Sequence, residues 1–201
     1  MFMKTTLLAA AAVLSFATAS SAAGIFSDDF NGEALQLNAT LDKWTVDPGA
    51  VDVIGTGSFD FYPGNGNYLD MNGSNGAASE GTITTAGLGL EVGKRYELSF
   101  DYGTNDAPGA FPVLLTFGLG TLSETLTILA QPDFLMSAIY TFVYDGSGDF
   151  LFFADTSGTS SDQGGPVLDN VSLAAVPLPA GGLLLLGALG GFAALRRRKT
   201  A

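Results

Sequence analysis

The middle of the chain alternates apolar and polar residues in short stretches. Between positions 95 and 102, large apolar side chains fall on one face and polar or charged ones on the other. This period of two is typical of a β-strand with one covered face. Residues 139–144 also alternate, but both sets are apolar or β-branched, which predicts a strand covered on both faces. In the first stretch the apolar face is Tyr96, Leu98, Phe100 and Tyr102, and the polar face is Arg95, Glu97, Ser99 and Asp101.

About ten such stretches lie between residues 24 and 175, and turn residues separate them. Pro, Gly, Asn and Asp, which favour tight turns, cluster at 47–49, 63–66, 72–73, 106–109 and 145–148. Short strands at regular spacing with little helical periodicity are typical of a β-sandwich. The sequence therefore predicts one all-β domain over residues 24–175, a jelly-roll β-sandwich. Further strands are predicted at 43–46, 51–54, 68–71, 81–84, 113–117, 125–128, 149–153 and 167–173.

Residues 1–23 have the pattern of a secretory signal. Lys4 gives a positive start, an uncharged apolar stretch covers residues 7–17, and small residues fill 20–23. These are the three parts of a signal peptide, and the apolar stretch is short for a membrane span. We therefore expect an N-terminal signal helix, export of the chain, and cleavage by signal peptidase after Ala22 or Ala23.

Residues 176–201 form a separate C-terminal tail. An uncharged apolar stretch over residues 180–195 predicts a transmembrane helix, and the basic residues after it would keep the C-terminus in the cytoplasm. Two prolines precede the stretch and would leave extended backbone at the membrane face. The proline motif is Val176, Pro177, Leu178, Pro179 and Ala180, and the basic membrane stop is Arg196, Arg197, Arg198 and Lys199.

This tail resembles the VPLPA-type sorting signal, a variant of the PEP-CTERM family. The motif, a glycine-rich apolar span and an arginine cluster follow one another in that order over residues 176–201. The resemblance implies recognition by an exosortase, a membrane cysteine transpeptidase that would cut near residues 176–180. It also implies a Gram-negative cell surface or extracellular matrix and a link to extracellular polysaccharide and biofilm. An ordinary single-span anchor is the alternative.

The negative charge of the domain limits the classes of partner that it can bind. All 20 acidic residues lie between Asp28 and Asp169, and only Lys43, Lys94 and Arg95 accompany them as basic residues. Such a domain repels nucleic acid and anionic lipid, and it suits a soluble surface protein, a cation binder or a protein adapted to salty water. The chain has no cysteine and no histidine, which excludes thiol catalysis and removes the commonest general base. We therefore expect a protein that is not an enzyme.

Aromatic residues supply the candidates for sugar binding. Phe59, Phe61, Tyr62 and Tyr68 surround a glycine-rich stretch, and Trp44 lies upstream. Flat rings on loops stack on the apolar faces of sugars, whereas the alternative for each ring is a place in the core. We single out Trp44, Tyr62 and Tyr68 as possible sugar-binding residues, with the two tyrosines expected at the surface.

The domain as a whole resembles carbohydrate-binding modules and galactose-binding-like jelly rolls. The segments that carry this resemblance are DDFN at 28–31, KWTV at 43–46, YLDMNG at 68–73, YELSFDY at 96–102 and VLDNVSL at 167–173. In such modules the first and last strands often lie close together and hold a structural calcium ion.

Asp169 is the candidate metal ligand. By strand alternation it shares a face with Val167, Val171 and Leu173. A carboxylate on a core face is costly unless it is paired or bound to a metal. One hypothesis is that Asp169, with Asp28 or Asp29, provides oxygen ligands to a structural Ca²⁺. The other is that Asp169 accepts backbone hydrogen bonds from the opening segment.

Three functions remain open on the sequence. The first is a non-catalytic surface protein whose jelly roll associates with extracellular polysaccharide. The second is a structural or adhesive matrix protein without a specific glycan ligand. The third is a glycan hydrolase, because glycoside hydrolysis needs a pair of opposed carboxylates and the domain has 20 acidic residues from which such a pair could come.

Overall fold

The computed structural model describes residues 23–74, 80–105, 112–129, 134–158 and 164–177. Within these ranges the regular structure consists of eleven β-strands, so the predicted all-β class is confirmed. They are β1 (Ala23–Asp28), β2 (Trp44–Val46), β3 (Asp52–Gly55), β4 (Asn67–Asp70), β5 (Thr82–Thr85), β6 (Arg95–Thr104), β7 (Val113–Leu119), β8 (Leu122–Ile128), β9 (Met136–Val143), β10 (Phe152–Asp155) and β11 (Pro166–Ala175).

The two predicted terminal segments fall mostly outside this description. Of the signal segment only Ala23 is described, and it begins β1. Of the sorting tail only Val176 and Pro177 are described, so Leu178, Pro179, Ala180 and the basic cluster lie outside the described residues. In the described part of the chain, no helix is long and apolar enough to cross a membrane.

The strands form two antiparallel sheets that pack into a sandwich, as predicted. The six-stranded sheet has the order β3-β4-β11-β6-β9, with β1 also paired to β11, and the five-stranded sheet has the order β2-β5-β10-β7-β8. The long strand β11 joins the first sheet, because it pairs with β6 along its length, with β4 near its start and with β1 near its end. Five connections, β2–β3, β4–β5, β6–β7, β8–β9 and β10–β11, join strands at one end of the sandwich, which we call the loop end.

The core between the sheets is largely aromatic. Phe100 of β6 lies with its ring centroid 4.8 Å from that of Phe117 and 5.0 Å from that of Phe153. Trp44 meets Phe153 edge-on at 6.0 Å. Rings at these distances and angles are favourable beyond their buried area. A domain without disulfides thus gains its stability from a core that reaches across both sheets.

A bulge in β11 corrects the predicted facing of Asp169. Asp169 pairs with Asp101 but Ser172 pairs with Ser99, so β11 holds one extra residue, and Asn170 there has a φ of 49°. An inserted residue reverses which side chains face the core. Leu168 before the bulge and Val171 after it both lie in the core. The expectation that Asp169 shares a face with Val171 and Leu173 is therefore wrong, because the bulge breaks the alternation.

Strand β9 differs from its prediction as well. It lies at the edge of the six-stranded sheet and pairs with β6 alone among the described strands. Tyr140 and Phe142 pack on the core, whereas Ile139 on the other face is 65% exposed. The expectation that both faces are covered is wrong, because β-branched composition reports strand propensity rather than burial.

The aromatic core generates a stability prediction. Replacing Phe153→Ala removes a fully buried ring that contacts both sheets, and we expect a loss of about 3–5 kcal/mol in the free energy of unfolding. The matched control is Phe150→Ala, because Phe150 is 48% exposed and should cost less than about 1 kcal/mol. Urea unfolding measures both, and equal losses would contradict the assigned core.

Candidate functional site

All three predicted sugar-binding rings are buried. Trp44 lies in the main core and donates its indole N–H to Asp28 Oδ2 at 2.8 Å. Tyr62 and Tyr68 are at most 1% exposed and form a second apolar cluster with Ile54 and Val167. The expectation of tyrosine rings at the surface is wrong, because the segment between β3 and β4 folds over the outer side of the six-stranded sheet and covers them.

The two tyrosines hold this covering segment in place. The Tyr68 hydroxyl accepts the backbone N–H groups of Phe61 and Tyr62 and lies 3.2 Å from Asp60 Oδ1. Burial raises the pKa of Tyr68 to about 12. The Tyr62 hydroxyl donates to the Thr104 carbonyl at 2.7 Å and accepts the Thr104 N–H at 2.9 Å. These rings therefore act as buried structural groups with satisfied hydroxyls.

Asp28 is the centre of a buried polar contact at the end of β1. Its carboxylate accepts from the Lys43 ammonium at 3.1 Å and from the Phe30 N–H at 3.4 Å, in addition to the Trp44 indole. The charge of Asp28 is thus balanced by Lys43. Binding of a metal ion by this carboxylate would have to displace Lys43.

Asp169 of β11 is fully buried and lies directly opposite Asp101 on the neighbouring strand β6. The Asn170 side-chain amide bridges the pair, 2.9 Å from Asp101 Oδ2 and 3.3 Å from Asp169 Oδ2. Burial raises the pKa of Asp169 to about 7, and the negative charges of Asp101, Asp29 and Asp28 add to this. The Asn170 N–H donates to Asp169 Oδ1 at 2.7 Å, so the predicted backbone donor comes from the bulge and not from the opening segment.

The predicted calcium ligands do not form a complete set. Asp29 is exposed, and hydrogen bonds from Asn31 lower its pKa. Across the described ranges, no group of three or more Asp, Glu, His or Cys side chains is placed to hold a metal ion. Calcium at Asp28, Asp29 and Asp169 stays a prediction, and Asp28 is the member that fits it least.

The outer surface of the five-stranded sheet presents a different kind of site. Its residues alternate with core residues such as Trp44, Ile83 and Phe117 and therefore point away from the core. We call this surface the threonine face. It consists of Thr45 (β2), Thr82 and Thr84 (β5), Phe152 and Ala154 (β10), Leu114, Thr116 and Gly118 (β7), and Ser123, Thr125 and Thr127 (β8).

One row of the threonine face runs across all five strands. Thr45 pairs with Thr84, Thr84 with Phe152, Phe152 with Gly118, and Gly118 with Ser123. Neighbouring strands lie about 4.8 Å apart, so Thr84 lies one strand from the phenyl ring on one side and Ser123 lies two strands from it on the other.

Gly118 gives Phe152 its position on this surface. A Cβ atom at position 118 would lie only 2.7 Å from Cε1 of the ring. The ring therefore lies over the bare backbone of the neighbouring strand, and it is partly exposed. Nearby, the Thr116 hydroxyl lies 2.9 Å from that of Thr125 and 2.8 Å from that of Thr156.

The threonine face carries no charged side chain at its outward positions, although the chain has a net charge of −12. A partly exposed ring can cover the apolar face of a ligand, and hydroxyl groups both donate and accept hydrogen bonds. This surface is suited to a neutral ligand rich in hydroxyl groups. It has no carboxylate to act as an acid or a base.

This surface is not predicted from the sequence, because Phe152 lies outside the aromatic cluster at residues 59–68. The available signal was the alternation of hydroxyl residues with core residues, as in Thr82-Ile83-Thr84 and Thr125-Leu126-Thr127. The importance of Phe152 depends on Gly118 of another strand, which is a matter of strand pairing that the sequence does not display.

Comparisons with known proteins show the fold and no family. No family model matches the chain. The protein halomucin of Haloquadratum walsbyi is 30% identical over 151 residues, which is 74% of this chain but 2% of halomucin.

Two solved structures share the fold at a TM-score of 0.50. One comprises the CBM22-1 and GH10 modules of Clostridium thermocellum endo-1,4-β-D-xylanase 10B complexed with xylohexaose, at 12% identity, covering 78% of this chain and 29% of that one. The other is the K1 cleaved adhesin domain of Lys-gingipain from Porphyromonas gingivalis, at 16% identity, covering 76% of this chain and 98% of that one. The domain thus has a jelly-roll fold like that of carbohydrate-binding modules.

The buried Asp169 generates a prediction on pH. Its pKa is raised in the folded state, so the folded protein holds this proton more tightly than the unfolded chain does. The resulting stability is complete below about pH 4 and is lost as the pH rises through about 7. Between pH 5 and pH 8 the wild type should lose on the order of 2 kcal/mol of its free energy of unfolding for this reason. We expect the Asp169→Asn variant not to show this loss.

Urea unfolding at pH 5, 6, 7 and 8 measures the difference between the wild type and the variant. Asp42→Asn is the control, because it makes the same change at an exposed carboxylate. An Asp169→Asn variant with the wild-type pH dependence would contradict the assigned protonation.

Proposed function

We propose that this protein is a non-catalytic surface protein that binds neutral extracellular polysaccharide on its threonine face. The observation that carries the proposal is the uncharged, hydroxyl-rich outer surface of the five-stranded sheet, with a phenyl ring at its middle. The jelly-roll fold shared with carbohydrate-binding modules supports it as a general likeness of architecture.

Binding would rest on two interactions: apolar contact with the phenyl ring and hydrogen bonds with the hydroxyl groups. A sugar ring has an apolar face of C–H groups, which gains free energy when it covers the exposed part of Phe152. Its hydroxyl groups then meet Thr84 and Ser123 to either side, where each polar group finds a partner in place of water. Strands about 4.8 Å apart repeat this arrangement over a surface long enough for several sugar units.

The electrostatics favour a neutral ligand over an anionic one. The outward positions of the threonine face hold no acidic residue, but the chain has a net charge of −12, so a polyanion would be repelled at long range. A neutral glycan would feel no such repulsion. We therefore propose a neutral polysaccharide rather than a uronic-acid polymer.

The residues of the threonine face favour binding of a glycan without catalysis. Glycoside hydrolysis needs two carboxyl groups on opposite sides of the scissile bond. The threonine face has none, and the closely paired Asp101 and Asp169 lie on the other sheet with Asp169 fully buried. A structural or adhesive matrix protein without a glycan ligand is the alternative, and glycan titration distinguishes the two.

We also propose that the chain is exported and sorted at its C-terminus. The pattern of residues 1–23 supports export through signal peptidase, and the motif at residues 176–180 with its apolar span and basic end supports an exosortase. The Val176 N–H donates to the Arg95 carbonyl at 2.9 Å, so the motif begins directly at the end of the sheet. Cleavage there would release the domain with almost no stalk.

The ring on the threonine face provides the test of glycan binding. We expect Phe152→Ala to weaken binding of a neutral hexasaccharide such as xylohexaose by about 5- to 30-fold, the effect of losing a central aromatic contact. Phe150→Ala is the control, because Phe150 is exposed but belongs to no position of this face. Isothermal titration at 0.15 M salt measures both, with an oligogalacturonate as the anionic comparison. Binding that is equal in both variants, or stronger for the anionic sugar, would overturn the proposal.

Processing of the tail is tested by cell fractionation. We expect the mature chain at the cell surface or in the medium to end within residues 176–180, as read by mass spectrometry. Replacing Pro177 and Pro179 by alanine should leave an uncut chain in the inner membrane, because a helix continued through the motif hides its backbone. A surface protein that retains residues 181–201 would contradict sorting.

A further inference from the structure

Within the described part of the chain, two buried oxygen atoms at the loop end have no hydrogen-bond donor. Asn72 is 1% exposed, and its Oδ1 has no donor among the described residues. Glu80 Oε1 is also buried and likewise lacks a donor within the described ranges. Leaving such acceptors unsatisfied costs roughly 1–3 kcal/mol each, so both call for a physical explanation.

The backbone places these two residues side by side. Asn72 and Glu80 are opposite one another in an isolated antiparallel bridge, and residues so paired point their side chains to the same face. The Asp70 carboxylate accepts the Asn72 N–H at 3.0 Å, and the Gly81 N–H donates to the Met71 carbonyl at 2.7 Å. The bridge is therefore fixed on both sides.

A second carboxylate borders the same place. The Asp155 N–H, at the end of β10, donates to the Gly81 carbonyl at 3.0 Å. A Cβ atom added to Gly165 would lie 2.4 Å from Asn72 Cβ and 3.3 Å from Asp155 Oδ2, so the bare glycine backbone brings these two side chains together. Asn72 is thus paired with Glu80 on one segment and lies against Asp155 on another.

The amide of Asn72 is oriented by its own hydrogen bond. Its Nδ2 donates to the Gly164 carbonyl at 3.0 Å, which directs Oδ1 away from Gly164. Turning the amide over would place Oδ1 against that carbonyl oxygen, so it would move the conflict without removing it. The oxygens of Asn72 and Glu80 that lack a donor, with a second carboxylate beside them, form the kind of environment that a hard cation satisfies.

We propose that a divalent cation, Ca²⁺ by its preference for oxygen ligands, binds between Asn72 Oδ1, the Glu80 carboxylate and the Asp155 carboxylate. Two carboxylates balance its charge, and water or backbone carbonyl groups complete a shell of six to eight oxygens. Glu80 is only partly buried, which leaves a path for the ion from solvent. This site is separate from both the threonine face and the Asp28, Asp29 and Asp169 set.

Calcium would tie together the segments before β5, after β4 and at the end of β10. Its binding stabilises only the folded state, so the melting temperature rises with calcium concentration. We expect chelator-treated full-length protein to bind one Ca²⁺ at this site, and its melting temperature to rise by about 5 °C or more when calcium exceeds the dissociation constant 100-fold.

Three variants locate the ion. Glu80→Gln should lose this equivalent of calcium and the temperature rise, yet melt above the wild type in chelator, because its amide can donate to Asn72 Oδ1. Glu124→Gln, the same change at an exposed position of β8, should bind calcium as the wild type does. Asp169→Asn should also retain the site.

Equilibrium dialysis with metal analysis and thermal melts of the full chain read out these differences. Loss of the ion in Glu80→Gln alone supports the site. Absence of bound calcium in the wild type, unchanged binding in Glu80→Gln, or loss of all calcium in Asp169→Asn would overturn it.

Discussion

The pairing of β11 with three other strands is the constraint on which the structure depends. β6 lies along nearly its whole length, and β4 and β1 share its other edge. A single strand therefore carries most of the backbone hydrogen bonds that unite the six-stranded sheet. The bulge at Asn170 lets the apolar residues on either side of it face the core, while Asp169 turns toward Asp101 on the outer side.

The two sheets differ in the residues that their outer surfaces present. The outer side of the six-stranded sheet is partly covered by the segment that Tyr62 and Tyr68 hold, and it carries Asp101 and the buried Asp169. The outer side of the five-stranded sheet carries hydroxyl residues and the ring of Phe152 and has no charged residue at its outward positions. The chain is acidic, yet this sheet surface has no charge at its outward positions. It is therefore the surface best suited to a neutral partner.

Much of the fold was predictable from sequence, because alternation and turn residues report strands directly. The strand at β6 was predicted from its alternation, and the sandwich followed from the number of strands. The facing of Asp169 was not predictable, since a bulge is an insertion in pairing and leaves no mark in the hydrophobic period.

The candidate site was the harder part. Tyr62 and Tyr68 have the composition of a sugar-binding loop, yet their hydroxyl groups satisfy backbone atoms inside a cluster. Whether a ring is covered depends on which distant segment folds over it, as with Phe152 above Gly118. Long-range pairing decides such cases, and a local pattern cannot.

The proposed ligand surface of this protein is the threonine face. Hydrogen–deuterium exchange of the full chain, with and without a saturating neutral oligosaccharide, examines this surface because it reports each strand separately. We expect added protection in β5, β7, β8 and β10 and none in β9. Protection confined to the six-stranded sheet, or none anywhere across a broad set of neutral glycans, would contradict it.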